Sequence, residues 1–256
     1  MTLQACADLV QRGDPDRFAA TMAAPPEARR VLFPLYAFNL EVARAPWVTE
    51  EPMIAEMRLQ WWRDALEEIS NGTPPRRHEV VTPLAEVLDP TGAALLDRAV
   101  AARRWDIYKD PFDDETAFAS HLDATSGDLI WAIARALGAP DETEGIVRDY
   151  AWGAGLAAWF LAIPAYEARG RLPLVDGRPG AIQGLARDGL ARLARARRSR
   201  HGLPKPAHPA LFAGWRAPAI LQRAASDPSR VAAGTLPPSE FRRRTGLLWL
   251  SATGRW

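Results

Sequence analysis

The chain has 256 residues, of which 48% are apolar and 25% are charged, and its formal net charge is +1. This composition is typical of a globular domain, and the balanced charge argues against a nucleic-acid binder, which needs a basic excess. Its one cysteine, Cys6, excludes a disulfide framework and any cysteine-rich metal site.

The residue balance predicts an all-α fold. There are 47 alanines against 11 valines and 9 isoleucines, so strong helix formers outnumber the residues that favour strands. The 22 prolines cluster between periodic segments, where they end helices. In chain order, the predicted helices are 17–23, 27–46 with Pro34 inside it, 50–69, 80–89, 91–108, one or two helices over 113–138, 141–170 with Pro164 inside it, 182–200 and 208–226.

We expect these helices to form one domain over residues 1–256, with a core of about 14–226 and a less regular tail over 228–256. The chain start, MTLQACADLVQRGDPD, lacks the basic start and apolar core of a signal peptide. No apolar run approaches the ~18 residues of a membrane span. The sequence therefore predicts a cytoplasmic protein, and peripheral attachment to the inner membrane stays open.

Two patterns that could indicate a cofactor or metal site, a glycine-rich stretch and the four histidines, are better explained by structure. The stretch from Gly153 to Ala158 matches the dinucleotide fingerprint, but the preceding EGIVRDYAW predicts a helix where that motif needs a strand. We therefore interpret its small residues as a close helix crossing. The four histidines include no pair four residues apart that could hold a metal, and His121 is interpreted as a capping or core residue.

One stretch carries a family resemblance. Residues 14–69 contain the PPEARR turn, the segment Leu35-Tyr36-Ala37-Phe38 and a helix with the sequence RLQWWR. Further on come LDATSG at 122–127 and the segment from Gly153 to Leu174, which ends in ARGRLPL. Over about residues 14–175 the chain resembles the squalene/phytoene synthase family. The resemblance implies an all-α, isoprenoid-synthase-like bundle in which helices 27–46, 50–69, 115–138 and 141–170 surround a central cavity.

The resemblance also implies a departure from the family's chemistry. In that family, two aspartate clusters on facing helices hold Mg²⁺ ions that bridge the substrate diphosphates. The first cluster corresponds to Asn39, Ala43, Arg44 and Trp47, and the second to Leu161, Ala162, Ala165 and Tyr166. None of these residues is acidic, so we expect neither a metal site nor a cofactor. Four further residues could contact a diphosphate or serve structure: Tyr36, Arg58, Arg169 and Arg171.

A divergent branch of the same family also lacks these aspartates. It includes the assembly factors of mitochondrial respiratory complex I and their bacterial relatives. The sequence AFNLEVARAP, followed by MRLQWWRDALEEI, resembles that branch more than a working phytoene synthase. The resemblance thus implies a family fold with a degenerate site. Because the site is degenerate, we predict a non-catalytic role, either in assembly of a membrane complex or in binding an isoprenoid or another lipid.

An active enzyme remains the alternative. It would join two prenyl diphosphates head-to-head with Mg²⁺, and it would need displaced acids to converge on the cavity. The candidates for that role are Glu41, Asp64, Asp123, Asp128 and Glu167.

Two segments place arginines beside apolar residues. Helix 182–200 carries Arg187, Arg192, Arg195 and Arg198 on one face, and the tail reads FRRRTGLLWL over 241–250. Such segments can dock on an anionic membrane surface. The competing account is that Leu247, Leu248 and Trp249 pack on the helical core while the arginines stay in water.

Overall fold

The structure, a computed structural model, describes residues 2–256. Over these residues it is helical and contains no strand, as the composition predicts. The helices are α1 (Leu3–Gly13), α2 (Pro15–Met22), α3 (Pro26–Arg44), α4 (Pro52–Ser70), α5 (Val81–Ala85), α6 (Pro90–Ala102), α7 (Glu115–Leu122), α8 (Asp128–Ala136), α9 (Glu144–Glu167), α10 (Pro179–Arg198), α11 (Ala217–Ser226), α12 (Ser229–Ala232) and α13 (Glu240–Thr253).

Shorter helical turns complete the fold. Turns of 3₁₀ helix include Ala45–Trp47, Arg103–Asp106 and Lys205–Gly214, and one π-helical turn, Asp123–Gly127, joins α7 to α8. No helix of the described residues combines the length and the apolar character needed to cross a bilayer.

Several helices begin where a side chain accepts a hydrogen bond from the first backbone N–H groups of the helix. The first backbone N–H groups of a helix have no acceptor within the helix, and an aspartate or serine before the helix supplies one. Asp14, Asp89, Asp114 and Ser239 do so for α2, α6, α7 and α13. Proline occupies the first turn of several helices, including α3 and α4, where its missing N–H costs nothing.

Helix α9 crosses the middle of the molecule, and its small residues allow close packing. A Cβ atom added at Gly153 would lie 2.6 Å from Cγ of Leu193 and 2.9 Å from the carbonyl oxygen of Gly189 on α10. One at Gly155 would lie 2.6 Å from Cβ of Ser126. The interpretation of this glycine-rich stretch as a helix crossing is therefore confirmed.

A buried carboxylate ties three helices together. Asp128, at the start of α8, accepts hydrogen bonds from Arg98 on α6 and Arg148 on α9, with three N–O distances of 2.9 Å. Arg148 also binds Asp123 and Glu144. Because Asp128 is almost fully buried, its charge requires both arginine partners.

Both ends of the chain contain helices that the sequence pattern did not predict. α1 precedes the first predicted helix and buries Cys6, Leu9 and Val10. α13 forms within the tail expected to be less regular, and it buries Leu250. The predicted helix 208–226 begins as the 3₁₀ segment Lys205–Gly214, because Pro209 lacks a backbone N–H, and becomes α-helical only at α11.

The crossing at Gly153 yields a stability prediction. Gly153→Ala should lower the free energy of unfolding by about 1–3 kcal/mol, because the added methyl group meets backbone and Leu193. Gly145→Ala in the same helix is the matched control. A Cβ there meets nothing within 4 Å, so this variant should gain up to about 1 kcal/mol from helix propensity. Urea unfolding followed by circular dichroism measures both, and equal effects of the two variants would contradict the account.

Candidate functional site

A central cavity of about 240 Å³ lies between the helices. The cavity is lined by residues of five helices, two turns and one 3₁₀ segment: α2, α3, α7, α8, α9, the turn 103–106, the π-helical turn and the segment 205–214. Helix α4 contributes no lining residue, so the expectation that 50–69 borders the cavity is wrong, and the segment 205–214 borders it instead. Most of the wall is apolar, with Leu122, Leu129, Ile130, Ala154, Ala158, Trp159, Ala162 and Ala213.

The polar part of the wall is cationic. Arg17 and Arg103 line the cavity, and the Arg17 guanidinium lies 4.9 Å from the centre of the Tyr36 ring. The Tyr36 hydroxyl is buried and has no hydrogen-bond partner within the described residues. Burial raises the pKa of Tyr36 to about 12 although Arg17 acts in the opposite direction. Arg17 pairs with Asp14 at 3.5 Å and Arg103 pairs with Asp106 at 3.2 Å, so the cavity offers two paired arginines and one unsatisfied neutral hydroxyl.

Residues from both helix faces that the sequence resemblance matches to the family's acidic clusters line this cavity. Asn39 from α3 and Ala162 and Tyr166 from α9 line it. Trp47, in the 3₁₀ turn after α3, lies with its ring centre 5.4 Å from that of Tyr166. The Arg169 guanidinium stacks 4.2 Å from the centre of the Trp47 ring. An aromatic contact covered by a cation thus joins the two faces.

This contact belongs to a larger set of rings, which we call the aromatic cluster. Trp159 lies 4.9 Å from Tyr166 and 5.1 Å from His121, and Trp105 stacks on Phe112 at 4.5 Å, all measured between ring centres. The cluster comprises Trp47, Trp105, Phe112, Phe118, His121, Trp159 and Tyr166. It occupies the space between the turn 103–106, α7 and the C-terminal part of α9.

His121 is the titratable member of the aromatic cluster. It is buried, and its Nε2 has no hydrogen-bond partner within the described residues. Burial, with a smaller contribution from the positive charge of Arg103, lowers the pKa of His121 to about 3. The ring is therefore a neutral core residue, which is one of the two roles expected from the sequence.

A single buried carboxylate orients Tyr166. Asp106 is fully buried, and its Oδ1 accepts a hydrogen bond of 2.9 Å from the Tyr166 hydroxyl. Its Oδ2 pairs with Arg103 at 3.2 Å. Burial and the charge of Asp106 raise the pKa of Tyr166, so this hydroxyl stays neutral and donates.

Arg171 fixes the backbone beside this carboxylate. Its guanidinium donates to the carbonyl oxygens of Trp105, Asp106 and Tyr108. The guanidinium is also 5.2 Å from the centre of the Trp47 ring. Arg171 therefore links the segment after α9 to both the turn 103–106 and the aromatic contact.

These residues do not fit a cluster of magnesium ions. Mg²⁺ prefers several hard oxygen ligands, usually including carboxylates. At the eight corresponding positions, only the Asn39 amide and the Tyr166 hydroxyl carry side-chain oxygen, and Tyr166 already donates to Asp106. Within residues 2–256 no three His, Cys, Asp or Glu side chains are grouped so that they could hold a metal ion.

The other residues singled out from the sequence lie elsewhere. Arg44, Arg58 and Glu41 line a separate outer groove of about 610 Å³ beside α4. Ala43 and Leu161 are half-buried, and Ala165 is exposed.

The displaced acids do not converge on the cavity. Asp64 accepts from Gln60, Asp123 and Asp128 bind Arg148, and Glu167 is exposed. Sequence patterns gave no sign of the residues that in fact hold the site together, namely Arg17, Arg103, Trp105, Asp106, Phe112 and Trp159. Their partners are distant in the chain, and none belongs to a spaced motif.

Comparisons with known proteins agree with this fold. A family model described as squalene/phytoene synthase matches residues 10–173. The structure superposes on a crystal structure of a dehydrosqualene synthase in complex with ligand, with a TM-score of 0.80 and 13% identity. That match covers 98% of this chain and 95% of the other, and it shows that the fold is shared.

Curated relatives match a shorter part. The Drosophila melanogaster homolog of NADH dehydrogenase (ubiquinone) complex I assembly factor 6 is 33% identical over 100 residues, which is 38% of this chain and 30% of that protein. The Homo sapiens assembly factor 6 is 32% identical over 72 residues, 28% of this chain and 22% of that protein. The alignments therefore span less than a third of the length of either relative.

His121 yields a pH prediction. In the unfolded chain its pKa is near the ordinary 6.5, whereas in the folded chain it is about 3, so below pH 6.5 the unfolded state binds the proton and the folded state does not. The free energy of unfolding should therefore fall as the pH falls from 6.5 towards 3, with a contribution from His121 of up to about 1.4 kcal/mol per pH unit.

His121→Leu should remove this contribution. Urea unfolding at pH 6.5, 5.5 and 4.5 measures it as the difference in slope between the original chain and the variant. His201→Leu, which replaces an exposed histidine, is the control. Parallel pH curves for the original chain and His121→Leu would contradict the neutral, buried state of this ring.

Proposed function

The chain belongs to the squalene/phytoene synthase family, and we propose that it is a non-catalytic member that acts by binding, in the assembly of a membrane protein complex. The observation that carries the proposal is the contact between Trp47 and Tyr166, two residues at positions where the family has aspartates. Ionisation of a prenyl diphosphate places negative charge on the leaving group, and metal ions neutralise it. Here, rings and arginines occupy the region that would have to hold those ions.

The size of the cavity supports the same proposal. Pockets that enclose one drug-sized ligand measure about 300–1,000 Å³. The central cavity has about 240 Å³, and a head-to-head synthase must hold two prenyl chains at once. A cavity of this volume favours a role that does not require two bound prenyl chains.

The relatives support the assembly role. The two curated relatives described above are named as complex I assembly factors, and each is more than 30% identical to this chain in the aligned part. An assembly factor needs a stable fold and a surface for its client, but no catalytic metal. This chain has the family fold, and aromatic contacts and arginine ion pairs stabilise it without a metal.

Binding of a single isoprenoid or another small lipid is a second candidate function. It is favoured by the two cavity arginines and by the unsatisfied Tyr36 hydroxyl, which could bind an anionic or polar head while the apolar wall encloses a short chain. Such binding would need no metal, because the Tyr36 hydroxyl and the N–H groups of the two arginines can donate hydrogen bonds to the head.

The absence of turnover is directly testable. Purified protein incubated with farnesyl or geranylgeranyl diphosphate and Mg²⁺ should release no more diphosphate than a protein-free control and should form no condensation product. A working phytoene synthase assayed in parallel is the positive control. Product formation that falls in Glu41→Gln or Glu167→Gln would contradict the proposal, because it would show that displaced acids act in catalysis.

Two further experiments distinguish the lipid-binding function from the assembly function. Saturable binding of farnesyl monophosphate in EDTA, abolished by Ala162→Trp, would support the lipid-binding candidate. Deletion of the gene in its organism of origin should lower the NADH:quinone oxidoreductase activity of the membranes, and expression of the chain should restore it. Unchanged activity after deletion would contradict the assembly role.

A further inference from the structure

Helix α13 presents an apolar strip to solvent. Phe241, Leu248 and Trp249 are 76%, 69% and 60% exposed. The opposite side holds the helix on the protein, since Leu250 is buried, Leu247 packs on the core and Gly246 lies against Trp215. The strip is therefore a feature of a folded, anchored helix.

The charges beside the strip are mainly positive. Residues 240–255 contain four arginines and one acid, Glu240. Arg243 and Arg244 pair with Glu240, and Arg243 also binds Asp16. Arg242 and Arg255 form no side-chain ion pair with any described residue. At least two cations on this surface are thus free to meet an external anion.

A basic groove adjoins the C-terminal end of α13. It has a volume of about 810 Å³, and Leu250, Thr253 and Arg255 line one side of it. The other side carries Arg29, Arg200, His201 and Lys205, and no Asp or Glu side chain from the described residues lines the groove. A basic groove therefore adjoins the same helix that carries the exposed apolar strip.

We propose that α13 and the basic groove form a docking surface for an anionic lipid bilayer. The exposed Phe241, Leu248 and Trp249 enter the boundary between head groups and acyl chains, and the free cations bind lipid phosphates. Tryptophan and phenylalanine flanked by arginines are suited to this boundary. This inference goes beyond the proposed function and does not depend on it.

The second basic segment of the sequence is less suited to this role. On α10, Arg195 binds Asp149 at 2.5 and 2.7 Å, and Arg192 stacks 4.4 Å from the centre of the Trp152 ring. These arginines are therefore engaged within the protein. The residues that α10 buries, such as Ile182 and Leu193, pack inward and offer no apolar strip.

Co-sedimentation of the full chain with vesicles tests the surface. The chain should bind vesicles of phosphatidylcholine mixed with phosphatidylglycerol, should not bind phosphatidylcholine alone, and should bind less as salt rises. Leu248→Ser with Trp249→Ser should weaken binding at least about tenfold. Arg200→Gln, Lys205→Gln and Arg255→Gln should each weaken it about fivefold.

Control variants at other surface positions test whether any loss of exposed apolar or basic side chains is enough to weaken vesicle binding. Met53→Ser with Met57→Ser removes side chains that are 75% and 66% exposed on α4, and Arg77→Gln with Arg187→Gln removes two exposed arginines. Both double variants should bind like the original chain. If the α13 double variant loses its helical circular dichroism, Phe241→Ser alone replaces it.

Three outcomes would overturn the inference. They are absence of binding to anionic vesicles at low salt, binding that the α13 and groove variants leave unchanged, and an equal loss of binding in the control variants.

Discussion

The contact between Trp47 and Tyr166 is the interaction on which the rest of the site depends. It joins the 3₁₀ turn after α3 to the end of α9, and the Arg169 guanidinium lies over the Trp47 ring. Two facing sets of carboxylates would repel each other unless metal ions lay between them. Rings attract each other without any ion, by about 0.5–1.5 kcal/mol per pair beyond the effect of burial. The aromatic contact can therefore hold the two helices together without a metal.

Several other features follow from that contact. Tyr166 is held in place because its hydroxyl donates a hydrogen bond to the buried Asp106 carboxylate, and Arg103 pairs with the same carboxylate. Arg171 fixes the backbone of the same turn through its carbonyl oxygens. In this region, arginine side chains bind a carboxylate, backbone carbonyl oxygens and the face of an aromatic ring.

The sequence predicted the parts of the structure that depend on local chemistry. The predicted helices 27–46 and 182–200, for example, correspond to α3 and α10. The partners across the cavity could not be predicted. Nothing near Trp47 indicates Tyr166, and nothing near Asp106 indicates that it is buried.

The most direct test of this account is a double-mutant cycle on Trp47 and Tyr166. Urea unfolding measures the free energy of unfolding of Trp47→Leu, Tyr166→Leu and the double variant. The control cycle combines Trp47→Leu with Trp152→Leu, since these two side chains share no ring contact. The account predicts a coupling free energy of about 0.5–1.5 kcal/mol for the first pair and additivity within about 0.5 kcal/mol for the second. Additive effects of Trp47→Leu and Tyr166→Leu would contradict this prediction, because the turn after α3 and the end of α9 would then not be joined by this contact.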